Sequence, residues 1–186
     1  MSGPAQHGIF RGDDSATRVF LPDEAATLAL GGALGAALIQ GQAEIVVYVE
    51  GDLGAGKTTL VRGVLRSLGY SGKVKSPTYT LVELYVVSGL NLYHFDFYRF
   101  EQPEEYLDAG LDEYFQGMGV CLVEWPDKAG AYLPPADLRV QLSTAHDGRD
   151  VVLLAQSEKG RLCLTSLKFR LADTPAATSS SLPPQR

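Results

Sequence analysis

Along the chain the apolar positions follow two rhythms, and their alternation predicts layers of strands and helices. "EIVVYV" (44–49) and "VCLVE" (120–124) are nearly unbroken apolar runs, the pattern of strands covered on both faces within a parallel sheet. "TTLVRGVLRSLG" instead places Leu60, Val61, Val64, Leu65 and Leu68 at helical spacing and stops at Gly69. An earlier helix is predicted for "PDEAATLALGGALGAALIQG", opened by Pro22, Asp23 and Glu24, whose carboxylates suit a positive helix end. The pair Gly31 and Gly32 argues against its continuity.

"TRVFL" predicts a short first strand, and "VKSPTYTLVELYVVSGLNLYHFDFYRF" a hairpin turning at Ser88 and Gly89, preceded by an irregular loop at Ser76 and Pro77. "QPEEYLDAGLDEYFQG" predicts one or two short helices. "DLRVQLS", "RDVVLLAQ" and "GRLCLTSL" predict three further strands, the first two joined around "TAHDG". The sum is a three-layer α/β domain over residues 15–172, with a mostly parallel central sheet and added antiparallel strands. Residues 1–14 and 173–186, rich in Gly, Pro, Ser and Thr, are expected to be flexible tails.

Composition narrows the function. With 186 residues, 45% of them hydrophobic, the chain can bury the core of one domain. A formal charge of −6 argues against a protein that wraps bare nucleic acid, DNA included, although a local basic patch is compatible with it. Cys121 and Cys163 lie far apart in apolar runs, which predicts buried, reduced thiols rather than a disulfide framework or a zinc site. His7, His94 and His146 have no ligand spacing. No apolar run is long enough to span a bilayer and no basic-then-apolar leader opens the chain, so no membrane partner and a cytoplasmic location are expected.

The chemistry gathers at "GDLGAGKTT" (51–59), between the first buried strand and the helix that follows. Gly51, Gly54 and Gly56 let the backbone curl so that N–H groups face an anion, and the helix start adds its positive end. Asp52, Leu53, Gly54, Ala55, Gly56, Lys57, Thr58 and Thr59 are therefore candidate nucleotide-binding residues, with Lys57 meeting the outer phosphates and Thr58 placed to ligate Mg²⁺. The motif in this context makes the fold class P-loop NTPase-like.

A magnesium–nucleotide site needs a carboxylate from a neighbouring strand end. Glu124 closes "VCLVE" and Asp96 closes "NLYHFD". Glu124 is the favoured metal ligand, direct or through water, and Asp96 the group that orients water, although the exchanged roles satisfy the same chemistry. Ser76, Thr78 and Thr80 lie where nucleotide switches sense the outermost phosphate, and a Ser/Thr-rich turn fixed by Pro77 explains the same spacing. Thr80 is the candidate catalytic hydroxyl of this loop, beside Lys57, Asp96 and Glu124.

No Asn-Lys-x-Asp string is present to read guanine, which favours ATP. A small-molecule phosphotransferase is the alternative, but Arg99, Arg139, Arg149, Arg161 and Arg170 are dispersed singly rather than gathered as a phosphate clamp.

"GDLGAGKTT", "VKSPTYTLVELY", "YHFDFYRF", "PEEYLDAGLDEYF" and "CLVEWPDKAG…LPPADL" together closely resemble the bacterial TsaE (YjeE) family over roughly residues 18–154. The resemblance implies a small ATPase, weak alone, for making threonylcarbamoyladenosine in tRNA. It implies TsaB and TsaD as protein partners, a complex that the ATPase resets between turnovers, and tRNA as an indirect partner. It further implies ATP binding by 52–59, Mg²⁺ held by Thr58 and Glu124, "SPTYT" as a switch, and a functional Asp96. Trp125 falls at a Trp position of the family, and Glu24 and Arg149 fall where the family touches nucleotide. "ALIQGQAE" is long for the family, and both tails are individual.

Overall fold

The structure is a computed structural model that describes residues 15–41 and 44–173; both expected tails, apart from Asp173, lie outside the described residues. In chain order it contains β1 (Ala16–Leu21), α1 (Glu24–Gly41), β2 (Ile45–Glu50), α2 (Lys57–Ser67), β3 (Val82–Val87), β4 (Leu90–Asp96), α3 (Glu105–Asp108), β5 (Val120–Glu124), β6 (Leu138–Ala145), β7 (Gly148–Ala155) and α4 (Glu158–Asp173). Short 3₁₀ turns occupy Leu111–Phe115, Pro126–Lys128 and Gly130–Tyr132.

The seven strands form one sheet in the order β1-β7-β6-β2-β5-β4-β3. β6, β2, β5 and β4 run parallel, which explains the unbroken apolar runs of β2 and β5. Antiparallel pairings of β1 with β7, β7 with β6 and β3 with β4 make up both flanks, so the sheet is parallel at its centre and mixed as a whole. The β3–β4 hairpin turns through Ser88 and Gly89, both at positive φ, as a two-residue turn requires.

Alternation along the strands supplies two cores. Ile45, Val47, Val49, Leu122 and Val140 face one way and pack with Leu34, Leu60, Val64, Cys163 and Leu164 of α1, α2 and α4. Val46, Tyr48, Cys121 and Val123 face the other way, into an aromatic cluster of Phe95, Phe97, Phe100 and Tyr106 roofed by α3 and the short turns. Three layers result.

α1 starts where the sequence predicts, with the Asp23 carboxylate accepting from the Ala26 N–H at 2.7 Å. The glycine pair does not interrupt it. Gly31 sits where α1 crosses α2: a Cβ there would lie 3.0 Å from the Gly63 Cα and collide with the Leu60 carbonyl. Close approach, which only glycine permits, outweighs helix propensity and fixes α2 against the sheet. α2 ends as expected at Gly69 (φ +91), where the Gly69 and Tyr70 N–H groups donate to the Arg66 and Leu65 carbonyls.

One expected element is overturned. "GRLCLTSL" is not a strand but part of α4, which runs on to Asp173. Gly160, Cys163, Leu164 and Leu167 are its buried face, a helical 0, 3, 4, 7 spacing, while Leu162 is exposed. Ser157 opens the helix by accepting the Gly160 N–H at 3.1 Å. An apolar run of this length fits either period, and the packing of Cys163, Leu164 and Leu167 decides for the helix.

Candidate functional site

Because β2, β5 and β4 are parallel neighbours, their carboxyl ends open together beside the start of α2. Register pairs Asp96 with Glu124, so the two predicted carboxylates stand side by side. They line one cavity of about 410 Å³ together with Leu53, Gly54, Gly56, Lys57, Thr58 and Thr59 of the glycine loop, and with Ser76, Thr78, Tyr98, Arg99 and Trp125.

The loop delivers an uncapped helix. Gly56, at φ +103, is the N-cap of α2 and offers no side chain to the leading N–H groups, which leaves them open to water or an anion. Arg149 packs across this glycine, since a Cβ on Gly56 would lie 3.1 Å from its Nη1, and the same nitrogen donates to Thr27 Oγ1 at 2.6 Å. Arg149 therefore touches the glycine loop from β7 without lining the cavity.

Lys57 is 5% exposed and donates from Nζ to the Gly51 and Asp52 carbonyls at 2.7 and 2.8 Å. Its ammonium lies 4.2 Å from the Trp125 ring centre. Burial pushes its pKa down, opposed by the negative charges of Glu124, Asp96, Asp52 and Asp127. Trp125 reaches this position because the chain leaves β5 in the left-handed region at φ 57, which turns the indole back over the loop.

Glu124 is 2% exposed, and its Oε1 accepts from Thr58 Oγ1 at 2.9 Å and lies 2.8 Å from His94 Nε2. Oε2 lies 3.2 Å from the Thr58 hydroxyl. Asp96 accepts the Tyr98 N–H at 2.8 Å on one oxygen and the Ser76 hydroxyl on the other. Hence the hydroxyl loop is tied to the sheet through Ser76. Leu81 closes that loop at φ 66, with its N–H on the Pro77 carbonyl at 2.6 Å, a conformation that costs a bulky residue and persists only where surroundings enforce it.

Within the loop the structure separates the hydroxyls. Thr78 lines the cavity, and its buried Oγ1 has no hydrogen-bond partner among the described residues. Thr80 is exposed and lines a neighbouring groove with Lys73, Lys75 and Tyr79. Of the remaining candidates, Ala55 is buried under the loop, Asp52 is exposed beside it, and Glu24 is exposed and paired with Arg62 at 3.3 Å, all outside the cavity lining. His94, Tyr98 and Arg99 are the residues at the site that sequence reasoning missed. For His94 the available signal was its place two residues before Asp96, which on a strand means the same face.

The donor set suits a hard divalent cation. A hydroxyl and a carboxylate converge here, whereas among the described residues no three His, Cys, Asp or Glu side chains gather as a cage. In general Mg²⁺ takes one or two protein ligands of this kind, with phosphate oxygens and water completing its shell.

A family model described as threonylcarbamoyl adenosine biosynthesis protein TsaE matches residues 21–151. The tRNA threonylcarbamoyladenosine biosynthesis protein TsaE of Haemophilus influenzae is 45% identical over 144 residues, covering 76% of this chain and 91% of its own. Its namesake from Nostoc is 40% identical over 139 residues, covering 73% and 83%. Among solved structures, the crystal structure of Bacillus subtilis YdiB superposes with a TM-score of 0.69 at 32% identity, over 83% of this chain and 95% of that one. With a family model spanning most of the chain and relatives this similar over most of their length, the chain belongs to the TsaE family of threonylcarbamoyl adenosine biosynthesis proteins.

Proposed function

We propose that this protein is a magnesium-dependent ATPase that serves threonylcarbamoyladenosine formation on tRNA by binding and resetting a TsaB–TsaD complex in the cytoplasm. The observation that carries this reading is the meeting of Lys57, Thr58, Glu124 and Asp96 in one cavity at the uncapped start of α2. The leading N–H groups of α2 bind the phosphate chain, and Lys57 supplies a buried positive charge beside it. Thr58 and Glu124 hold Mg²⁺, which when bound neutralises charge on the phosphates. Asp96, held by Tyr98 and Ser76, orients the attacking water, and the Thr78 hydroxyl is free to meet the terminal phosphate or that water.

Because Ser76 is bonded to Asp96, a change at the terminal phosphate is transmitted to the 76–81 loop, and that loop carries exposed Tyr79 and Thr80 to a partner. A phosphotransferase draws less support, since Arg99 alone among the described arginines lines the cavity. Among the described residues no helix is long and apolar enough to cross a membrane. The test is reconstitution: the purified protein is mixed with TsaB and TsaD in ATP or ADP, with co-elution and phosphate release measured together. Nucleotide-dependent association and partner-stimulated release support the reading; a protein that neither binds ATP–Mg²⁺ nor associates with the pair refutes it.

A further inference from the structure

The His94 imidazole is wholly buried, and among the described residues it makes one polar contact. Its Nε2 lies 2.8 Å from Glu124 Oε1, while Nδ1 has no hydrogen-bond partner among the described residues. An unpaired ring nitrogen in a core is a cost that Leu or Phe in the same place would not carry. The polarity of this residue is therefore spent on Glu124. Facing a carboxylate oxygen, Nε2 must carry the proton and donate it, which fixes the tautomer.

Geometry gives this contact a consequence. His94 pairs in register with Leu122, and Asp96 with Glu124, so His94 lies below Glu124 on the sheet face that α2 covers. Glu124 Oε1 is engaged from two sides, by the imidazole below and by the Thr58 hydroxyl at 2.9 Å. Oε2 has only the longer 3.2 Å approach of Thr58. Two contacts on Oε1 restrain rotation of the carboxylate, and Oε2 is the oxygen left for the cavity.

We propose that His94 is a positioning residue: its Nε2–H holds Glu124 Oε1 so that Oε2 is presented to the cation or its water. The inference rests on the ATP–Mg²⁺ reading of the cavity, and the experiment separates the two. The single tryptophan, Trp125, lines the cavity, so its fluorescence reports ATP–Mg²⁺ binding independently of turnover. His94→Leu removes the donor, His94→Asn offers an amide nitrogen too short to reach, and His94→Gln offers one near the place of Nε2.

The expected result is that His94→Leu and His94→Asn bind ATP within about threefold of wild type, need a several-fold higher Mg²⁺ concentration, and lose about 10- to 100-fold in kcat, the range for a misplaced catalytic group. His94→Gln recovers most of that loss. In ¹⁵N-labelled wild type, His94 is expected to be protonated at Nε2, with that resonance shifting on addition of Mg²⁺ and ATP. Wild-type kcat in His94→Leu overturns the proposal, as does an equal loss in His94→Gln and His94→Asn, or protonation at Nδ1 alone. If His94→Leu does not fold, His94→Gln against His94→Asn carries the comparison. Wild-type protein whose Trp125 signal ignores ATP–Mg²⁺ would refute the nucleotide reading itself.

Discussion

The Lys57 ammonium lies 4.2 Å from the centre of the Trp125 ring, so the one tryptophan of the chain touches the group that would meet phosphate. Lys57 is also bonded to two loop carbonyls, and replacing it removes a buried cation from an otherwise intact loop. Lys57→Ala is expected to weaken ATP binding about 100-fold or more, the worth of roughly two charge-assisted hydrogen bonds. Because burial draws its pKa below 10.5, the lysine loses its charge earlier than an exposed one as pH rises, and ATP affinity should fall over that alkaline range. Titration with a fluorescent ATP analogue at several pH values checks both points, and unchanged affinity in Lys57→Ala would remove Lys57 from the site.

On the proposed ATP–Mg²⁺ reading, Glu124 serves the cation and the water rather than the grip on phosphate. Glu124→Ala should retain ATP binding within about tenfold and lose about 100-fold or more of hydrolysis, the usual contribution of a positioned acid or base. Phosphate release under saturating ATP decides it. Normal turnover would refute the assignment.

Thr78 and Thr80 are separated by two positions and by the loop wall. Thr78→Val, which keeps the shape and removes the unpartnered hydroxyl of this cavity-lining residue, is expected to lower kcat by about tenfold, on the order of one hydrogen bond made only in the reacting complex. Thr80→Val should leave hydrolysis by the isolated protein unchanged, since Thr80 faces the neighbouring groove. The opposite ranking in a steady-state assay would restore Thr80 as the catalytic hydroxyl.

Gly31 and Gly32 are adjacent in α1 and opposite in consequence. Gly31→Ala drives a Cβ into the Leu60 carbonyl, whereas Gly32→Ala meets only Ser67 Cβ at 3.8 Å. The first should cost about 1–3 kcal/mol by overpacking, and the second should gain up to about 1 kcal/mol of helix propensity. Urea denaturation of the two variants tests the difference, and equal midpoints would contradict the helix crossing.

Burial pushes the thiols of Cys121 and Cys163 up to about 12. Both should resist a thiol reagent at pH 8 and react once the chain is unfolded in urea. Above the ordinary thiol value of 9.0 the unfolded chain releases protons that the folded chain keeps. Stability should therefore fall as pH climbs from 9 towards about 12. Rapid labelling of native protein would show that one of these strands or helices opens readily.

Much of the architecture was legible because it depends on short-range patterns. The glycine loop, the runs of β2 and β5, the Ser88–Gly89 turn and the Gly69 stop are each dictated by neighbouring residues. α4 was misread because "GRLCLTSL" satisfies two periods, and only its packing of Cys163, Leu164 and Leu167 against the sheet separates them. His94 carried no ligand spacing; sequence places it only on the same face of β4 as Asp96, and its contact with Glu124 arises from a register between β4 and β5, strands 23 residues apart.

By itself, then, the sequence determined that a glycine-rich loop joins a buried strand to a helix, and which two carboxylates close nearby strands. Only the tertiary structure decided which side chains face that loop. Parallel register set Asp96 beside Glu124 and His94 below it, a left-handed turn brought Trp125 over Lys57, and the fold of the 76–81 loop chose Thr78 over Thr80 for the cavity. The reason is physical: local propensity acts over a few residues, whereas the direction a side chain faces is fixed by strand pairing and packing between segments distant in the chain.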